Sequence, residues 1–273
     1  MRYVRRITVI IFVLSVILYV LTGIKLRMED DHTVPVITSD REVLQVSVQV
    51  TEEELKEGLT ASDNKDGDLT ENIVVGSISK FVKKGTVNVS YVVFDKNNNA
   101  GQFTRKVEFT DYESPEFALN ASLDYKVGEV VKVLDRLTVN DSIDGDITDK
   151  IRIISSDVDN KQAGVYTIRV QVTNDYGDTA EEDMLINVNN YTPGSPEITL
   201  KKYLVYVKKG SSFSPKEYLA EVVDTYGDAI DSEEVRIDSE VNTKVPGSYQ
   251  VTYSVEDGNG NKGYRHLMVI VKE

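Results

Sequence analysis

The chain has 273 residues, with 31 Lys and Arg against 45 Asp and Glu, giving a formal net charge of −14. That acidity excludes nucleic acid as a partner, because phosphate binding needs a basic face. The absence of cysteine excludes disulfides, thiol catalysis and Cys-ligated zinc.

The first element is apolar. Ile7–Ile24 contains no charge, with Arg2, Arg5 and Arg6 before it and Lys25 and Arg27 after it. A helix of that length spans about 27 Å, enough for the hydrocarbon core of a bilayer. Residues 7–24 are therefore expected to cross the membrane, with the excess of basic residues placing the N-terminus in the cytoplasm. A cleaved signal peptide competes, although Leu21-Thr22-Gly23 presents a bulky residue where a cleavage site wants a small one. Both readings export the rest of the chain.

Beyond this segment the chain is a repeat. Pro35, Pro115 and Pro196 each open a Pro-x-hydrophobic triplet, 80 and 81 residues apart. Each copy then reaches an acidic turn: Asp63-Asn-Lys-Asp-Gly-Asp68, Asp141-Ser-Ile-Asp-Gly-Asp146, and the weaker Asp224-Thr-Tyr-Gly-Asp228. Gly85, Gly164 and Gly247 precede strands of period two. Val87, Val89, Tyr91 and Val93 share one face of the first, as do Tyr166, Ile168, Val170 and Val172, then Tyr249, Val251, Tyr253 and Val255. Alternation of β-branched and aromatic residues predicts half-buried strands. Each strand ends at a turn, Asp95-Lys-Asn-Asn98, Asn174-Asp-Tyr-Gly177 and Asp257-Gly-Asn-Gly260, whose fourth residue suits a positive φ. Brief helical turns are expected at 52–57 and 215–222.

These features predict an all-β chain: three tandem β-sandwiches after an N-terminal transmembrane helix. The expected divisions are 1–33 (cytoplasmic tip, anchor and juxtamembrane stretch), 34–111, 112–191 and 192–273.

The acidic turns are the candidate metal sites. Asp63, Asp66 and Asp68, then Asp141, Asp144 and Asp146, place three carboxylates within six residues, as a hard cation such as Ca²⁺ prefers. Neither is an EF-hand loop, because Ile73 and Ile151 fall where its bidentate Glu would stand. The alternative is structural, with Asp-Gly forming the turn and Asp accepting backbone N–H bonds. No catalytic or cofactor-binding residue is expected. His266 is expected on a solvent-facing strand surface and His32 in the juxtamembrane stretch. Val92, Phe94, Met268 and Ile270 fall on outward faces, where packing of domain on domain would cover them.

The order Pro-x-Ile, Asp-x-x-Asp-Gly-Asp-Leu/Ile-Thr, Gly-x-Tyr and Asp-x-x-Gly-Asn resembles the bacterial immunoglobulin-like domains found in surface proteins and pesticidal crystal proteins. The third copy keeps only Gly227-Asp228 of the acidic turn, and the first has Val87 and Asn98 where Tyr and Gly are usual. The resemblance implies three tandem immunoglobulin-like β-sandwiches forming a stalk or adhesive module of the cell envelope, with no activity of its own in most members of the family. The expected partners are the bilayer, through 7–24, and an extracellular protein or polysaccharide. The alternative is a carbohydrate- or protein-binding receptor contacting its ligand through the distal domain.

Overall fold

The computed structural model describes residues 2–29, 32–190 and 194–273. Asp30 and Asp31 of the juxtamembrane stretch and the expected division between residues 191 and 192 lie outside the described residues. The chain divides into two compact units, Met1–Asp111 and Tyr112–Glu273.

The first unit begins with helix α1 (Arg2–Glu29). Within it Tyr3–Ile24 has a mean hydropathy of 2.8 and no residue buried in the protein, so by length and composition it can cross a membrane. Its hydroxyls are satisfied internally: Thr8 donates to the Val4 carbonyl at 3.0 Å, Ser15 to Phe12 at 2.8 Å and Thr22 to Leu18 at 2.7 Å.

A two-sheet sandwich comes next. Strands β1 (Val36–Ser39), β3 (Leu59–Asp63) and β4 (Gly67–Asp68) form one sheet. Strands β2 (Val43–Val46), β7 (Ala100–Phe109), β6 (Thr86–Phe94) and β5 (Val74–Ile78) form the other, in that order. Strand β6 alternates buried and half-buried positions, with Val87, Val89, Tyr91 and Val93 wholly buried. The short helix α2 (Glu52–Leu55) is closed by a capping box between Thr51 and Glu54.

The second unit repeats this plan twice, the second time with only two strands in the smaller sheet. Its first sandwich sets β8 (Glu116–Leu119), β10 (Leu137–Asp141) and β11 (Gly145–Asp146) against β9 (Asp124–Lys126), β14 (Thr179–Asn189), β13 (Gly164–Thr173) and β12 (Arg152–Ser156). The other sets β15 (Glu197–Leu200) and β17 (Leu219–Val223) against β16 (Leu204–Lys208), β20 (Lys262–Lys272), β19 (Gly247–Glu256) and β18 (Arg236–Ser239). In all three copies a short early strand runs parallel to the last one: β2 with β7, β9 with β14, β16 with β20.

The hairpin register is shared. The residue before the turn Asp or Asn faces the residue five beyond it: Phe94 with Ala100, Thr173 with Thr179, Glu256 with Lys262. The fourth turn residue has positive φ each time, 63° at Asn98, 86° at Gly177 and 82° at Gly260. Pro35 and Pro196 bring a backbone carbonyl against the hairpin in the first and third copies. A Cβ on Gly101 or Gly263 would sit 2.1 or 2.2 Å from that oxygen, so only glycine permits the approach.

One helical expectation is corrected. Pro215–Tyr218 is a 3₁₀ turn, but Leu219–Val223 is strand β17, paired with β15 and carrying the β-branched Val222 and Val223. Residues 52–57 hold α2 as expected.

Candidate functional site

The acidic turns are cross-strand structures. Asp63 ends β3 and its Oδ1 accepts the backbone N–H groups of Lys65 and Asp66 at 2.9 and 3.0 Å, closing the turn. Asp68 turns away and caps the 3₁₀ turn behind it, accepting from the Thr70 backbone N–H at 2.9 Å. The Thr70 hydroxyl and N–H together hold its carboxyl below the usual range. The third carboxylate comes from the hairpin turn instead. One oxygen each of Asp63, Asp66 and Asp95 lies within 4.8 Å of the others. Asp95 itself is buried, accepting from Asn97 and Asn99 N–H groups at 2.9 and 2.8 Å. Asp66 takes the Lys96 N–H and ammonium, both at 2.8 Å. Asp63 Oδ2 is buried with no hydrogen-bond partner among the described residues.

The second copy shows what the first lacks. Asn174 replaces Asp95, and its amide donates to Asp141 Oδ2 at 3.1 Å, satisfying the oxygen that is orphaned on Asp63. Asp144 accepts from the Asp175 N–H at 2.6 Å and lies 3.7 Å from the Lys150 ammonium. Asp146 caps Thr148 at 2.9 Å, as Asp68 caps Thr70, with the same lowering by the Thr148 hydroxyl. The structure thus gathers Asp63 and Asp66, and likewise Asp141 and Asp144, while Asp68 and Asp146 serve their own turns. Three carboxylates fit a Ca²⁺ ion, which takes six to eight oxygens. An inward-pointing amide N–H fits one less well. Ile73 and Ile151, the residues at the EF-hand Glu position, are core residues, 2% and 8% exposed.

A second polar cluster joins the two sandwiches of the second unit. Asp124 on β9 has a side chain only 1% exposed. It faces β20, where the His266 ring Nδ1 lies 2.5 Å away and the Arg265 guanidinium 3.6 Å away. Arg265 also donates to the Ser122 hydroxyl at 2.8 Å and the Ile198 carbonyl at 2.9 Å. Around this contact Leu204, Met268 and Ile270 join the core of the preceding sandwich, and the Tyr206 hydroxyl accepts from the Phe117 N–H at 3.1 Å. Met268 and Ile270 are therefore covered by domain packing, whereas Phe94 stays half exposed. The expected surface position of His266 is corrected: its strand face does point outward, but the neighbouring sandwich covers it.

At the other end of this interface Glu182 lies in a cleft with Arg169 and Lys272. Burial raises its carboxyl to about 7, with Lys272 pulling it down and Asp183 and Glu116 pushing it up. A raised value means that the folded unit holds the proton more tightly than the unfolded chain. The stability this contributes is complete below pH 4.5 and is lost as pH rises through about 7. Glu182→Gln is therefore expected to melt like wild type near pH 4 and to be more stable by about 1–2 kcal/mol near pH 8, allowing for solvent screening. Thermal melts at the two pH values check this.

Residues 198–271 match the family model described as bacterial surface protein, Ig-like domain. Among curated proteins, pesticidal crystal protein Cry22Aa of Bacillus thuringiensis is 28% identical over 222 residues, covering 78% of this chain and 29% of that protein. Protocadherin gamma-A4 of Pan troglodytes is 26% identical over 149 residues, 48% of this chain and 15% of its own length. The chain thus spans less than a third of either relative. Among solved structures, the CBM51-2 and INT domains of Clostridium perfringens ZmpB overlap 50% of this chain and 28% of theirs at 19% identity and a TM-score of 0.25. An overlap that loose carries no argument. Residues 198–271, within the β15–β20 sandwich, are thus similar to a bacterial surface immunoglobulin-like domain, and the two segments before that sandwich share its long-hairpin register and its parallel pairing of an early strand with the last.

Proposed function

We propose that the chain is a membrane-anchored, non-enzymatic interaction module of the bacterial surface, its sandwiches exported beyond α1 and its N-terminus cytoplasmic. The observation that carries this is the pairing of an apolar 22-residue stretch, Tyr3–Ile24, with a matched surface Ig-like domain at the opposite end of the sequence. The partner is an extracellular protein or polysaccharide. Nucleic acid is disfavoured by the net charge of −14.

Topology is directly testable because the chain has no cysteine. A single Cys introduced at an exposed strand position, Arg152→Cys, is expected to react with a membrane-impermeant maleimide on intact cells. Labelling only after lysis would overturn the exported placement. A pull-down with the full chain against envelope fractions then tests for a retained partner.

A second reading concerns the first acidic turn, favoured by the orphaned Asp63 Oδ2. We propose that Asp63, Asp66 and Asp95 hold Ca²⁺ there, displacing the Lys96 ammonium, while Asp141 and Asp144 bind it more weakly because Asn174 fills the third place. Calorimetry is expected to resolve a tighter Ca²⁺ site that Asp95→Asn removes, leaving only weak binding like that of the second turn. Equal heat from that variant, or none from the wild type, would overturn it.

A further inference from the structure

The basic residues of the first sandwich do not share one fate. Arg41, Lys56 and Lys96 each meet a carboxylate, at 2.8, 2.7 and 2.8 Å, and Arg105 is buried. Lys80, Lys83, Lys84 and Lys106 are exposed, and among the described residues none of them meets one. In a chain with 45 acidic residues, four uncompensated ammonium groups in one place reverse the sign of the surface locally.

The fold places these lysines together. Lys80 follows β5, Lys83 and Lys84 precede β6, and Lys106 lies on β7. Asn88 links the segments: it faces Lys106 across the sheet, and its carbonyl accepts the Ser79 N–H at 2.9 Å. At about 4.8 Å between strands and about 3.3 Å per residue along them, the four backbones fall within a patch about 15 Å across. The loop carrying three of them is closed by its backbone. The Thr86 N–H donates to the Lys83 carbonyl at 2.7 Å and the Val82 N–H to the Thr86 carbonyl at 2.9 Å, with Gly85 at a φ of 74°.

The repeat shows that this closure does not need lysine. The matching loops, 157–164 and 240–247, end at Gly164 and Gly247 and carry one lysine each, Lys161 and Lys244, with Asp157, Asp159 and Glu240 against them. At the place of Lys106 the other copies hold Leu185 and Met268. The basic patch is therefore particular to the first sandwich and is not demanded by the architecture.

Its chemistry and position narrow the partner. Charges further away than about 8 Å are largely screened at physiological salt, so a ligand on the patch meets the lysines rather than the net charge of the chain. Glu108 borders the patch, with its carboxylate held by the Gln45 amide at 2.9 Å. Lysine is a compact point charge with three rotatable donors, which suits a tetrahedral phosphate in any orientation. A planar carboxylate is matched better by the fork of Arg, which this patch does not use. The chain arrives from α1 at β1, whose first residue Val36 pairs with Ser62 beside the acidic turn, and the β6–β7 turn meets that same turn through Lys96 and Asp66. The lysines stand at the other end of the nine-residue strand β6, about 30 Å away. With α1 in the bilayer they face away from its headgroups.

We propose that Lys80, Lys83, Lys84 and Lys106 form a binding patch for an envelope polymer whose backbone carries phosphodiesters. The proposal rests on the surface-module reading and names the chemical class of its partner.

The test is fluorescence anisotropy of end-labelled inorganic polyphosphate titrated with the full chain in neutral maltoside micelles, with EDTA present to remove bridging cations. Binding is expected at about 1–100 µM in about 50 mM salt and about thirtyfold weaker in about 150 mM, as the release of four counterions requires. Lys83→Gln combined with Lys84→Gln is expected to weaken binding about tenfold and to cut the salt slope by about half. Lys161→Gln combined with Lys244→Gln changes the net charge equally in the matching loops and is expected to leave binding unchanged. Polygalacturonate, whose charges are carboxylates, is expected to bind at least about tenfold more weakly than polyphosphate. No binding of polyphosphate, or equal weakening by the two double variants, overturns the site, and equal binding of polygalacturonate overturns the phosphate assignment. If polyphosphate fails while the full chain still retains an envelope partner, the surface-module reading stands and only the patch falls.

Discussion

Arg105→Ala is expected to cost the first sandwich about 3–5 kcal/mol, the scale for exposing buried polar groups and leaving a cavity. Arg105 is 2% exposed, and among the described residues no carboxylate forms an ion pair with it, although its charge, behind the Arg41 hydrogen bond, helps to lower the Asp40 carboxyl. Its guanidinium instead serves carbonyls left unpaired after the short helix α2: it donates to Leu55 at 2.7 Å and Glu57 at 2.8 Å. It also lies 3.2 Å from the Ser39 hydroxyl and 5.5 Å from the Tyr91 ring centre. Truncation would leave the part-buried Glu57 carbonyl without this donor. The Leu55 carbonyl keeps the Tyr91 hydroxyl at 2.6 Å, so that loss is partial.

The repeat supplies the control. The residue facing Val89 is Arg105, and at the same place in the other copies Met184 faces Ile168 and Leu267 faces Val251. An apolar chain of similar length therefore fits this architecture. Arg105→Met removes the desolvated charge along with its bonds, and such exchanges are often close to neutral. It is expected to fall within about 1.5 kcal/mol of wild type. Amide exchange in β6 and β7 reads the difference, with protection reduced on the order of a thousandfold in the Ala variant and far less in the Met variant. Equal losses would mean that the hydrogen bonds, not the volume, carry the site.

How much of this is legible in sequence depends on what each signal encodes. The long hairpins are, because period-two alternation fixes the buried face and the turn residue at positive φ fixes the register. The short parallel strands β2, β9 and β16 are not. Three to five residues are too few to alternate visibly, and their pairing is to a strand some sixty residues away. Asp95 escapes notice as a partner of Asp63 and Asp66 for a related reason. It lies thirty residues downstream and reaches them only when the β6–β7 turn folds over the β3–β4 turn. Alternation gives His266 correctly as outward-facing and wrongly as exposed, because it reports which face a side chain takes but not what covers that face. The nearby Met268 and Ile270 carry that information, since an apolar pair on an outward face needs a cover.

Asp124→Ala is expected to uncouple the two sandwiches of the second unit. Contributions of different size hold that interface. The rim pair Lys272–Glu116 at 3.0 Å is solvent-exposed on both sides and is worth at most about 1 kcal/mol. The apolar contact of Leu204, Met268 and Ile270 is larger but non-directional, so it tolerates some sliding. Asp124 sets the geometry: one buried carboxylate takes the His266 ring at 2.5 Å and the His266 N–H at 3.4 Å beside the Arg265 guanidinium. Removing it leaves Arg265 and His266 facing a dry gap, a loss of about 3–5 kcal/mol for one member of a buried charged cluster. Asp124→Asn keeps the acceptor oxygen without the charge and should lose less. Calorimetry of the full chain should then show the single transition of the second unit splitting in two for Asp124→Ala, while Glu116→Gln melts like wild type. If the Ala variant keeps one transition at the wild-type temperature, the apolar contact alone holds the sandwiches together and the buried carboxylate contributes only to alignment.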